Sequence, residues 1–469
     1  MIEVIHQPQA PVANGRSHPK AGALLRIGTF NAESYWQPPG KAAFPSIADS
    51  AALDLIATMD ELLMPWRSPG GALVTMLPPQ AQQIAYLHSI GLSFQTLPIF
   101  PSVREWREAG KPLCSYKAAT ERTKTTPSWA GNPIAPYAIT ENFCVFANRW
   151  GQQGSWPNAA NVAKVNSKVF STELNQRFFP RARIAVIRSI ADLDKFAAEM
   201  ADLPFVVKEP FGVSGKGHFL VKNQAGLERM KKLLTREREK GLDLEFIAEA
   251  LLDKAADFSC FCEIDRHGKV TLRGVQSMHN RGFAYLGSAP ANTALYEQLE
   301  RNHYFETLMP YLQAIYAKCY WGPVCIDSMM LADGALWPVV EINARESMGI
   351  IANSICGFLA SHGVSGVLTS MTISSTQVPP YGELLEALTD AGILWLPGKS
   401  KGMIPLTSTS LYVTHNDSSG NLSKSRWYAM LLGATAAEQT AIRDQWLSLC
   451  TDTLRWQILE SPYTHKEGA

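Results

Sequence analysis

The sequence predicts a multidomain protein that mixes α/β and α+β layers, and three observations carry that reading. At 469 residues the chain exceeds one compact core, so about three domains or subdomains is the starting expectation. Strand-like and helix-like stretches alternate over most of its length, the pattern of an α/β layer structure. A Ser-, Pro- and Gly-rich linker, "SSTQVPPYG" (374–382), then leads into a tail with its own strand, turn, strand and helix.

Within the first 165 or so residues, "GALLRIGTF" and "GALVTML" read as strands, and "DSAALDLIATMDELLM" and "QAQQIAYLHSIG" as helices. The stretch 105–160, rich in Trp, Pro and Asn, reads as long surface connections, with its tryptophans as core anchors. A helix starts in "NSKVFSTELNQRFF", with Asn166 or Ser167 as its cap. In the tail, "STSLYVTH" and "SRWYAMLLG" read as strands around a turn at "NDSSGN", followed by the helix "TAAEQTAIRDQWLSLCTDTL".

Composition narrows the function classes. The chain is 46% hydrophobic and 18% charged, ordinary for a soluble globular protein. Its 43 basic and 42 acidic residues give a net charge of +1, so no basic surplus points to nucleic acid. No apolar run reaches the ~18 residues that span a bilayer, and the N-terminus lacks a secretion-signal layout. Among eight cysteines, Cys260 and Cys262 in "DFSCFCEI" share one face of a strand, which suits a half-buried strand rather than a zinc site. Reduced thiols and a cytoplasmic location are expected.

Three constellations carry chemistry. In "PFVVKEPFGVSGKGHFLVKN" (204–223) a buried strand ends at Lys208, and Gly212, Ser214, Gly215 and Gly217 lie in a loop before a second strand. Such glycines let backbone N–H groups approach phosphate oxygens. A Walker loop is excluded, because Pro210 occupies its first Gly position and Gly217 its Ser/Thr position. A flap closing over phosphates is the expected structure.

The second constellation is the hairpin "GPVCIDSMMLADGALWPVVEINAR". Glu341, Asn343 and Arg345 alternate with apolar residues and so share one strand face. A two-residue turn at Asp333-Gly334 would put Asp327 on the opposite face from Glu341. A three-residue turn, Ala332-Asp333-Gly334 with Gly334 left-handed, pairs 327 with 339 and makes the two acids diagonal neighbours, about 7–8 Å apart at Cα. Two carboxylates and an amide oxygen are hard ligands suited to Mg²⁺. The third is "FIAEALLDKAADFSCF", where Glu249 ends a short strand, an extended crossing follows and Asp257 opens the next strand. Elsewhere, His279, Asn280 and Arg281 in "SMHNRGFAYLGS" are read as lying after a strand, able to grip a carboxylate or oxyanion.

In order and spacing, the segments over roughly 160–370 resemble the ATP-grasp superfamily of carboxylate–amine ligases, most specifically through "VVKEPFGVSGKG" and the Asp327 to "EINAR" pair. The resemblance implies two α+β subdomains that sandwich ATP, 161–245 with the flap and 246–373 with the metal ligands. A Rossmann-like α/β domain (1–160) would precede them and a small α+β lobe (374–469) would follow. It implies that Lys168 and Lys208 contact ATP phosphates beneath the flap, that Glu249 and Leu252 hold adenine, and that Asp257 holds ribose. Asp327, Glu341 and Asn343 would bind one or two Mg²⁺ ions, with Mn²⁺ as the alternative. Arg345 would stabilise charge at the transferring phosphate, with Arg281 and His279 as further catalytic candidates.

D-alanine–D-alanine ligases carry an Arg where this chain has Cys325, so the chain looks more like dipeptide-forming L-amino-acid ligases and the carbamoyl-phosphate and biotin-carboxylase branches, with no sign of biotin handling. Residues before 160 are similar to the pre-ATP-grasp domain of natural-product peptide ligases, such as those making pheganomycin-type peptides. The implied activity is ATP-dependent amide formation through an acyl phosphate, with amino acids or small peptides as substrates, in small-peptide or secondary-metabolite biosynthesis. Loading an amino acid onto a carrier protein and a non-catalytic ATP-binding regulatory module are the alternatives. Oligomeric state is open, a homodimer included.

Overall fold

The computed structural model describes residues 3–4, 24–45, 50–66, 70–127, 129–150, 156–201, 203–212, 217–282, 284–415 and 422–460. Three sheets organise them. The first is parallel, with strands in the spatial order Phe94–Pro98, Gly71–Thr75, Leu25–Ile27 and Ile134–Pro136. Gly71–Thr75 is buried throughout, as expected for a parallel strand covered on both faces. The helix Ala81–Ser89 follows it as predicted. This is the Rossmann-like layer the alternation called for.

Two stretches of this region depart from expectation. "DSAALDLIATMDELLM" is not one helix. It breaks into Ser50–Ile56 and a 3₁₀ turn, Met59–Leu63, because Asp60 and Glu61 turn inward. Asp60 accepts the Met76 N–H, and Glu61 accepts the Ser408 and Thr409 N–H groups at 2.6 and 2.9 Å and the Ser408 hydroxyl at 2.9 Å. The same bonds explain why "STSLYVTH" is not a strand: Thr409–Leu411 is wound into a 3₁₀ turn around that carboxylate. Glu61→Ala should therefore lower stability by about 3 kcal/mol by stranding buried donors, read as a lower midpoint in urea unfolding.

The stretch 105–160 is likewise more than connections. It holds the helices Ser115–Arg122 and Glu141–Arg149, which Tyr116 and Phe143 pin together at 5.2 Å, while Trp129 from the turn between them stacks on Phe146 at 5.7 Å. Trp106 is fully buried, with its indole N–H donating to the Pro112 carbonyl.

The second sheet is antiparallel, in the order Ile184–Ile187, Phe246–Ala250, Phe205–Lys208, His218–Val221. Strand alternation decides its two faces. Phe205, Val207, Phe246 and Ala248 pack with Leu193, Phe196, Met230 and Leu234 of the covering helices. Val206, Lys208 and Glu249 are left facing the other way, into a cleft.

The third sheet has ten strands. Its main path runs Leu336–Asn343, Gly322–Leu331, Lys254–Ile264, Val270–Arg281, Ala284–Pro290, Gly366–Ser375, Ser423–Leu432 and Gly402–Pro405. The tail after 374 thus adds its strands to the sheet that carries the predicted metal residues, where a separate lobe was expected. Gly366–Ser375 is almost wholly buried and pairs along its full length with 423–432, so no bare edge is left there. The predicted turn at 416–421 lies outside the described residues. Among the described residues no helix is long and apolar enough to cross a membrane.

Candidate functional site

A cleft of about 870 Å³ opens between the small antiparallel sheet and the ten-stranded one. Lys168, Lys208, Glu249, Leu252, Asp257, Asp327, Glu341, Asn343 and Arg345 all line it. These predicted residues span 178 positions of sequence, between Lys168 and Arg345 counted inclusively, and the fold brings them onto one surface.

The hairpin turns through Ala332, Asp333 and Gly334, with Gly334 at φ +82° and Leu331 N–H donating to Ala335 at 2.9 Å. That is the three-residue turn that sequence left as one of two alternatives. The pairing beyond it differs from the one expected. Met329 faces Trp337, but Asp327 faces Glu341 and Cys325 faces Asn343. The shift falls at Pro338, which has no N–H to donate to the ladder and whose carbonyl accepts the Ser328 hydroxyl at 2.7 Å. The two acids are direct partners, with Cα atoms about 4.5–5.5 Å apart, instead of diagonal neighbours.

Their environments differ. Asp327 accepts from Ser259 Oγ at 2.7 Å and from Asn343 Nδ2 at 3.1 Å. Burial and the facing Glu341 charge push its carboxyl up to about 6. Burial would raise Glu341 too, but Lys168, 2.7 Å away, outweighs it with help from Arg345 and Lys208 and holds it below the usual range. A facing acid pair with an amide oxygen beside it fits a hard divalent cation. Among the described residues no three His, Cys, Asp or Glu side chains converge as a metal cluster, so the remaining ligands would be phosphate or water oxygens, as Mg²⁺ prefers.

Lys168 opens the helix Lys168–Phe178, capped by Ser167, which accepts from the Val169 N–H. Asn166 has another role: its side chain bonds both the N–H and the carbonyl of Ala344, fixing the strand end that bears Arg345. Lys168 Nζ also donates to the Gly212 carbonyl at 2.7 Å, tying the root of the predicted flap to Glu341. Gly217 closes that loop at φ +77°, where a Cβ would sit 2.7 Å from the Glu209 carboxylate. Ser214 and Gly215 lie outside the described residues. Lys208, whose charge also acts on Glu341, is ion-paired with Glu249. Asp257, inside the strand 254–264, accepts from Lys254 at 2.6 Å and Asn280 at 2.9 Å.

Arg345 is clasped from the N-terminal region. Its Nε and Nη2 approach Glu33 Oε1 at 2.8 and 2.6 Å, its Nη1 donates to Tyr137 Oη at 3.1 Å, and the Tyr137 ring lies 5.3 Å from the guanidinium. Burial disfavours its charge, but Glu33 and Tyr137 more than restore it, raising its pKa.

Comparison with known proteins bears on this geometry. No protein-family model matches the chain, and no curated protein matches it. Solved structures do match in fold. The biotin carboxylase of Campylobacter jejuni, solved as a β,γ-ATP complex, superposes with a TM-score of 0.51 at 14% identity, over 94% of this chain and 93% of that one. N5-carboxyaminoimidazole synthetase of Staphylococcus aureus gives 0.50 at 14% identity, over 91% and 97%. The biotin carboxylase domain of Hydrogenobacter thermophilus 2-oxoglutarate carboxylase gives 0.50 at 13%, over 94% and 91%. The fold is ATP-grasp.

In this ATP-grasp cleft two predicted contacts are placed differently from the rest. His279 and Arg281 do not follow a strand. They belong to Val270–Arg281, whose cleft-facing residues are Gln276, Met278 and Asn280. Alternation turns His279 to the opposite face, where burial lowers its pKa. Arg281 ends the strand opposite Ala284. Sequence reasoning missed Glu33 and Tyr137, which lie in an N-terminal region with no local motif. It also missed Ser259 and Gln276, although each follows from the strand parity of Asp257 and Asn280. Lys424, Arg426 and Tyr428, alternate residues of 423–432, line the far side of the ATP-grasp cleft.

Proposed function

We propose that the protein is an ATP-dependent ligase that joins a carboxylate to an amine through an acyl phosphate, releasing ADP and phosphate, with amino acids or small peptides as substrates. The observation that carries this reading is the directly opposed Asp327–Glu341 pair, with Asn343, Lys168 and Arg345 around it on one cleft wall. The acids and Asn343 would hold Mg²⁺, which when bound neutralises charge on the β- and γ-phosphates. Lys168 and Lys208 would orient the phosphates. Glu249, Leu252 and Asp257 would seat the nucleoside, and the loop 212–217 would exclude water that otherwise hydrolyses the acyl phosphate.

In the first step a substrate carboxylate oxygen bonds to the γ-phosphorus as its bond to the β-phosphate oxygen breaks, and ADP leaves. Arg345, held by Glu33 and Tyr137, would face the charge that develops on the transferring group. In the second step an amine nitrogen bonds to the acyl carbon, phosphate departs, and the amine gives up a proton. Ser347, Met348 and Gly349, which line the cleft just past Arg345, would face the acceptor. Residues 161–245 act in this proposal as the closing subdomain over 246–373.

The test is a phosphate-release screen with MgATP or MnATP against the twenty amino acids, singly and in pairs, and against small peptides. The expected result is ADP and phosphate formation that depends on the acid, with a product mass equal to the two substrates less water. Tight ATP binding with no ADP from any mixture would overturn the ligase reading in favour of a regulatory module.

A further inference from the structure

The floor of the cleft holds a side chain that the proposed mechanism does not use. Gln276 is 1% exposed, and neither its Nε2 nor its Oε1 has a hydrogen-bond partner. Leaving a buried polar group unpaired is costly, and native folds rarely tolerate it. Its neighbours on the same face are satisfied: Ser259 donates to Asp327, Asn280 to Asp257, and Tyr285 bonds Ser288. The unpaired amide is therefore an exception within an otherwise paired polar surface.

Its position follows from the register. Glu341 faces Asp327, Asp327 faces Ser259, and Ser259 faces Gln276. Directly opposed residues share a face, so all four form one row across the cleft wall, and all line it. With neighbouring strands about 4.8 Å apart, Gln276 stands two strands, roughly 10 Å, to the side of Asp327. It is level with the acid pair, whereas Asp257, the proposed ribose contact, lies two residues further along its strand. A group bound at Gln276 would thus sit beside the place proposed for the phosphates.

A primary amide offers donors on nitrogen and acceptor lone pairs on oxygen. A lone carboxylate would use only the donors and a lone ammonium only the acceptor. An α-amino-acid unit uses both, because its N–H and its carbonyl or carboxylate oxygen are held on either side of one α-carbon. We propose, building on the ligase reading above, that Gln276 is the specificity-determining contact for the carboxylate substrate and that it reads the α-nitrogen and the carbonyl of an amino acid or peptide residue.

Gln276→Met keeps the side-chain length and removes both polar atoms. Four readouts test it together. Ligand-free Tm is expected to hold or rise, because the buried unpaired amide is gone. KM for MgATP should stay unchanged. KM for the amino acid selected by wild type should rise on the order of tenfold, with kcat within about threefold. Wild-type preference for that amino acid over the same acid lacking its α-nitrogen should collapse in the variant.

A fall in Tm would mean that Gln276 is bonded within the fold, and a rise in KM for MgATP that it reads the ribose. Either overturns the assignment, as does an unchanged preference for the α-nitrogen. In all three cases the ligase reading survives, because wild-type turnover is the control. Wild type that releases no phosphate with any acid overturns both.

Discussion

Glu341→Gln is expected to abolish ADP formation while leaving the protein folded. The amide keeps an oxygen to accept from Lys168, whose Nζ is also held by the Gly212 carbonyl, so the ammonium is not stranded. What is lost is one of two opposed carboxylates, and with it the charge that would hold a divalent ion beneath the phosphates. Metal-derived stabilisation of a phosphoryl transition state amounts to several kcal/mol. At about 1.4 kcal/mol per factor of ten, a drop of about a thousandfold in kcat follows. The measurement is phosphate release at saturating MgATP, alongside far-ultraviolet circular dichroism and a thermal melt. Wild-type turnover in the variant would contradict the metal assignment, and so would a rate restored without any added divalent ion.

Glu33→Ala is expected to have the second largest effect, on stability and turnover together. Glu33 and Arg345 side chains are each only 9% exposed, and removing one partner of a buried pair typically costs about 3–5 kcal/mol. Tyr137 and the Glu346 carbonyl still hold the guanidinium, which places the expected loss near the lower end, about 3 kcal/mol. Because Arg345 would then relax from its place beside Glu341, kcat should fall about a hundredfold, with KM for MgATP little changed. Glu33→Asp, which keeps the charge one methylene shorter, should recover part of both losses. Equal stability in Glu33→Ala and wild type on urea titration would show that the clasp contributes nothing in solution.

These two residues also mark what sequence could and could not reveal. Lys208, Asp327, Glu341 and Asn343 were legible because a strand writes its face into every second residue, although whether Asp327 meets Glu341 hung on a turn length that the sequence left open between two. The one error there, diagonal in place of direct pairing, came from Pro338. Its missing N–H was visible in the sequence, but the two-residue slip it produces was not. Glu33 had no such local signal. Its role exists only because the N-terminal sheet packs its carboxylate against a residue 312 positions away. Glu61 is the same case in the core. Its bonds to Ser408 and Thr409 overrode a strand-like pattern at 408–415, and tertiary hydrogen bonds of that kind leave no periodicity behind. His279 was misplaced for a simpler reason: its strand runs on to residue 281, so parity, not loop freedom, sets its direction.

The pairing within the ten-stranded sheet has a mechanical consequence. The acid pair, Gln276 and the Lys424–Tyr428 edge belong to one sheet, in which the join between Ala284–Pro290 and Gly366–Ser375 rests on two residue pairs. The spacing between the acid pair and Gln276 is set by strand pairing, since Glu341, Asp327, Ser259 and Gln276 are partners in turn across four strands. Under the ligase reading, the opening that admits nucleotide would fall to the smaller sheet, which is tied to this one where Lys168 donates to both the Gly212 carbonyl and Glu341.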